Sequence, residues 1–132
     1  MACNLMSKTG AVRYNVSYKI DKSHPYLTQD GEDREDNPNQ YIANMLDGSI
    51  AGFKYFDMKD TSIISVKVAG SGVGELQVST TIRGEKVAVI PISPMKEKEM
   101  YTAPIQIDDG VNALYFTYRG EGSINFYSFL LE

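Results

Sequence analysis

The chain has 132 residues, 42% of them hydrophobic and 23% charged, with a formal net charge of −4. That is one domain with enough apolar content to bury a core. The negative balance argues against a phosphate-binding face for nucleic acid and against docking on anionic lipid, and no stretch approaches the roughly 20 apolar residues that a membrane-spanning helix needs.

The opening "MACNLMSKTG" lacks the basic region and apolar run of a secretory leader. Cys3 is the single cysteine, so no internal disulfide forms, and it reads as a small buried residue in preference to a reactive thiol. "VRYNVSYKI" (12–20) is the first strand candidate. Residues 21–40 are polar, carry Pro25 and Pro38, and read as a long surface connection. His24, the single histidine, precedes Pro25 there and reads as a surface residue. Within the same connection "DGEDRED" (30–36) places Asp30, Glu32, Asp33, Glu35 and Asp36 in seven residues. Calcium takes about 6–8 oxygens from such loops, but the EF-hand spacing is missing. The run reads as a solvated loop, with a weak cation site or a catalytic cluster as the alternatives.

From residue 49 onward the dominant period is two. "SIAGFKYFDM", "SIISVKVAG", "GELQVSTTI", "KVAVIPI", "YTAPIQI", "ALYFTYRG" and "SINFYSFLLE" are β-branched and aromatic runs, several with the strict alternation of half-buried strands. Asp47-Gly48, Gly70-Ser71-Gly72, Arg83-Gly84, Asp109-Gly110 and Gly120-Glu121-Gly122 punctuate them. Short strands at that pitch predict an all-β fold, an antiparallel sandwich or barrel. Pro91 and Pro104 are expected at edges, ends or bulges, where no ladder N–H is lost. "MKEKEMY" (95–101) is expected to be a charged loop. Gly70-Ser71-Gly72-Val73-Gly74 lacks the spacing of a phosphate loop and reads as a hairpin turn.

Catalytic motifs are not evident. One histidine and one cysteine rule out a His- or Cys-rich metal centre, and no G-x-S-x-G elbow exists. Seventeen acidic residues allow many carboxylate pairs without a specific glycosidase spacing. The aromatics are more informative: nine Tyr, five Phe and no Trp. A tyrosine ring can stack on the C–H face of a sugar while its hydroxyl keeps a polar partner. Tyr41, which follows the long polar connection and precedes a strand, is the leading candidate.

"NQYIANMLDGSIAGFKYFDM" (39–58) resembles the "GY-I-x-N-G-D-W-x-x-Y-x-x-V-D-F" region of family 6 carbohydrate-binding modules. "ALYFTYRGEGSINFYSFLLE" (113–132) is similar to their closing "DLYLVFKGGG…FNLDWFQF". "ACNLM", "HPYLTQDGEDREDNPNQYIANM" and "GFKYFDM" resemble the C-terminal part of family 43 glycoside hydrolases of the xylosidase and arabinofuranosidase group. The resemblance implies a two-sheet antiparallel β-sandwich, a lectin-like jelly roll, over 1–132 as a single accessory domain, with a catalytic propeller upstream of Met1. It implies that this chain is not itself an enzyme and that its partners are a plant cell-wall oligo- or polysaccharide and the N-terminal catalytic domain of the same polypeptide. By the same resemblance Tyr41 matches the aromatic that stacks on sugar, and Asn125 matches an asparagine that hydrogen-bonds it. Lys98 and Tyr101 stand at the two aromatic positions of a "GGW-x-x-W" loop. Tyr127 occupies the position of a calcium-ligating Asp, so no cofactor is expected, with a structural calcium as the alternative. The acidic loop is longer than the family's and is expected to contact the catalytic domain. Bacterial cytoplasmic and secreted locations both stay open.

Overall fold

The computed structural model describes residues 4–7, 10–11, 26–29, 40–82 and 84–132. Cys3, His24, the acidic run 30–36 and the strand candidate 12–20 lie outside the described residues. Among those described, β-strands are the regular elements, and they pair antiparallel in two sheets. The six-stranded sheet runs β2 (Gly10–Ala11), β1 (Asn4–Ser7), β5 (Ile50–Met58), β10 (Gly110–Glu121), β7 (Val73–Ser79), β8 (Lys86–Ile92). The five-stranded sheet runs β3 (Tyr26–Gln29), β4 (Gln40–Met45), β11 (Ile124–Leu131), β6 (Ile63–Gly70), β9 (Met95–Pro104).

Alternation decides which side of each strand is buried. Ile64, Val66 and Val68 of β6 are fully buried while Lys67 is exposed. Leu76 and Val78 of β7, and Leu114, Phe116 and Tyr118 of β10, point the same way and are fully buried. Phe116 of one sheet meets Phe126 of the other with ring centroids 4.9 Å apart, and Phe53 lies 5.0 Å from Phe129. These rings tie the two layers together by dispersion and by burial of apolar area. On β10 the alternation underestimates burial: Tyr115 and Ala113 are buried too, with Ile50, in a second cluster on the outer side of the six-stranded sheet.

The prolines fall where a lost N–H is tolerated. Pro91 lies in β8 and Pro104 ends β9, and both strands are sheet edges. Gly70 to Val73 makes the tight connection between β6 and β7, as the glycine run predicts. Two expectations are corrected. The stretch 95–101 is not a charged loop but the body of β9, paired along β6 from Ile63↔Pro104 to Val68↔Glu99. Glutamates and lysines are depleted in central strands, yet on an edge they are the charges that discourage sheet-to-sheet association. Residues 21–40 are not wholly connection: Tyr26–Gln29 forms β3, in register with β4 from Tyr26↔Ala43 to Gln29↔Gln40.

Tyr118 is fully buried and its hydroxyl donates to the Glu121 carbonyl. Burial pushes its pKa above 10.0, opposed by a backbone hydrogen bond at Val73 and reinforced by the carboxylates of Asp47 and Glu121. Below pH 10.0 the folded and unfolded chains both hold this proton. Above it the unfolded chain releases the proton first, so stability falls as pH climbs towards the higher folded value. The melting temperature is expected to drop as pH rises above about 10, and to drop less in Tyr118→Phe.

Candidate functional site on the outer face of the five-stranded sheet

On β11, Ile124 and Phe126 are buried, which turns Asn125 and Tyr127 to the outer face. Opposite them on β4, the register pairs Ile124 with Met45 and Phe126 with Ile42. Ala43 and Asn44 therefore face the single residue Asn125, a β-bulge. Asn44 takes the left-handed conformation there, φ 62°, which asparagine tolerates better than most side chains. Its backbone N–H donates to Asn125 Oδ1 at 3.2 Å. Asn125 thus fixes the bend of β4, and with it the direction of Tyr41.

Tyr41 lies three residues before that bend. Its ring stacks on Tyr127 with centroids 4.5 Å apart and planes 24° from parallel. From the other flank, across β6, Lys98 of β9 places Nζ 4.5 Å from the Tyr127 ring centroid, a cation–π contact. Beyond the ring lies a shallow, open cleft of about 490 Å³, lined by Lys67, Ala69, Glu97, Lys98 and Tyr127.

The structure therefore gathers Tyr41, Asn125 and Lys98 on one face, but with Tyr127 standing between Tyr41 and Lys98. Tyr101 is not brought to that patch. It pairs with the buried Val66, packs against the core from the inner side of β9, and donates its hydroxyl to the Ser93 carbonyl at 3.2 Å. Once 95–101 is a strand, residues three apart fall on opposite faces, so Lys98 and Tyr101 cannot form one wall together. Tyr127 is the residue that sequence reasoning missed as a contact. The signal was present: it lies two residues after Asn125 in an alternating strand, hence on the same face.

A second cleft, about 330 Å³, lies on the outer side of the six-stranded sheet among Gln77, Ser79, Lys86, Thr117 and Arg119. Arg119 Nε is 3.8 Å from Asp47 Oδ1. No aromatic side chain lines this cleft, so it offers no stacking surface. Among the described residues, no group of three or more His, Cys, Asp or Glu is placed to hold a metal ion.

No protein-family model matches the chain. A curated protein of Thermoclostridium stercorarium named xylosidase/arabinosidase is 41% identical over 132 residues, 99% of this chain; the chain spans 28% of that protein's length. Among solved structures, a family 6 carbohydrate-binding module from Clostridium stercorarium in complex with cellobiose superposes with a TM-score of 0.68 at 16% identity, over 82% of this chain and 81% of that one. A family 6 module from Clostridium cellulolyticum in complex with xylose gives 0.67 at 12% identity, over 82% and 86%. A family 43 arabinoxylan arabinofuranohydrolase from Bacillus subtilis, in complex with cellotetraose, gives 0.70 at 14% identity, over 83% of this chain and 24% of that one. The resemblance read from residues 39–58 and 113–132 thus holds: the chain folds as the β-sandwich of family 6 carbohydrate-binding modules, and it is related over nearly its whole length to a segment of a xylosidase/arabinosidase.

Proposed function

We propose that this chain is a non-catalytic, carbohydrate-binding accessory domain of a larger glycoside hydrolase, and that it presents Tyr41, Asn125, Tyr127 and Lys98 to a plant cell-wall oligosaccharide of the xylan class. The observation that carries this reading is the stacked Tyr41–Tyr127 pair beside Asn125 on an outer sheet face. A pyranose offers C–H groups to a π face and hydroxyls to an amide or ammonium, and these side chains supply each partner within one patch. The related xylosidase/arabinosidase, more than three times longer than this chain, supports a parent hydrolase. Solved modules of the same fold are recorded with cellobiose and with xylose.

Isothermal titration with xylotetraose tests the reading. The expected dissociation constant is about 1 mM, or about −4 kcal/mol, within reach of one stacked ring and a few hydrogen bonds. Tyr41→Ala should remove the heat. A native chain that gives no heat at millimolar ligand contradicts the proposal.

Two observations favour a second reading. Tyr127 already fills the space between Tyr41 and Lys98, and Ile63, Met100 and Leu130 add exposed apolar area on the same outer face. Both suit a structural domain that packs on the parent hydrolase and shapes its active site without holding sugar. Excising the matching segment from the related xylosidase/arabinosidase would then lower its melting temperature and activity.

A further inference from the structure

We infer that the cleft beside Tyr127 prefers a sugar bearing a carboxylate, a uronic acid, over a neutral sugar. The inference rests on the carbohydrate-binding reading above and narrows its ligand. Acidic residues outnumber Lys and Arg in this chain by 17 to 13, yet the cleft is lined by two lysines and one glutamate. Lys67 projects outward from β6 beside β11, where it pairs with Ser128. Lys98 reaches in from β9. Ala69, two residues along β6 from Lys67, adds only a methyl group to the lining.

The position of Lys98 makes the preference differential. Tyr41 covers one flank of Tyr127, and the Lys98 ammonium lies over the ring 4.5 Å from its centroid. A neutral sugar against Tyr127 meets that ammonium with hydroxyl dipoles alone. A uronic acid meets it with a carboxylate, and a charge-assisted hydrogen bond is roughly twice as strong as a neutral one. Lys67, in the same lining, offers a second ion pair. Glu97 opposes the effect, leaving the lining with one net positive charge. Exposed ion pairs are individually weak, so the combined preference is expected at roughly three- to tenfold, and salt should screen it.

The test titrates the whole chain, by calorimetry and by ¹H–¹⁵N spectra, with xylotriose and with xylotriose carrying one glucuronic acid. The acidic probe should bind roughly three- to tenfold tighter at low salt, and the gap should close at high salt. Lys67→Gln and Lys98→Gln are exposed replacements whose unchanged spectra verify folding. Each should weaken the acidic probe more than the neutral one, so that the gap between the two probes narrows. Equal affinity for the two probes overturns the inference and leaves the carbohydrate-binding reading standing. A preference for the acid that survives both substitutions also overturns it, since the carboxylate is then read elsewhere. Silence from both probes overturns the inference together with the reading on which it rests.

Discussion

Phe126→Ala is expected to lower folding stability by about 3–5 kcal/mol. The side chain is fully buried between the layers, 4.9 Å from the Phe116 ring and 5.9 Å from that of Phe53. Truncation loses its transfer free energy and leaves a cavity that two hydrogen-bonded sheets cannot close. A domain of this size has a total stability of about 5–15 kcal/mol, so the change removes a large share of it. It should also reach function, because Phe126 separates Asn125 from Tyr127 and pins the strand that carries both. Urea unfolding at constant m-value measures the loss, and Phe126→Leu should recover much of it. A loss below about 1 kcal/mol would mean that the aromatic contacts between sheets contribute little.

Gly74→Ala is the second large effect, and its cause is backbone proximity. Gly74 of β7 faces Gly120 of β10. A Cβ added at Gly74 would lie 2.1 Å from the Arg119 carbonyl oxygen and 2.7 Å from Gly120 Cα. Neither atom belongs to a side chain that can turn aside, so the strands must separate and their ladder loosens. About 2–3 kcal/mol of destabilisation is expected, in the range of overpacked cores. Gly110 is the control: a Cβ there would meet nothing within 4 Å, so Gly110→Ala bears only the backbone cost of φ 114°. Equal thermal shifts in the two variants would show that conformation, not the close strand approach, sets the penalty at Gly74.

Much of the fold was legible because a sandwich strand has one wet and one dry side. Ile64, Val66 and Val68 announce their strand, and so do Leu76 and Val78. β9 escaped notice because Lys96, Glu97, Lys98 and Glu99 have the composition of a loop; on an edge strand, charge serves to repel a further strand. Tyr115 looked half-exposed in a regular alternation, but it belongs to a second buried cluster that a period of two cannot reveal. At the site, Tyr41 stood out by its place after the long polar connection, whereas Asn125 emerged only through the resemblance. Their relation depends on the bulge at Ala43 and Asn44, a local insertion with no signature in the pattern of apolar residues. Tyr127 was weighed only as a replaced calcium ligand, although its parity with Asn125 already placed it on the same outer face.

The central claim is that the outer face of the five-stranded sheet is a sugar site centred on the Tyr41–Tyr127 stack. Its most direct test is a ¹H–¹⁵N spectrum of the labelled chain titrated with xylotetraose into the millimolar range. Progressive, saturable shifts are expected at Tyr41, Asn44, Asn125, Tyr127 and Lys98. Shifts gathered instead around Gln77 and Thr117 on the opposite sheet, or a spectrum that does not move, would contradict it.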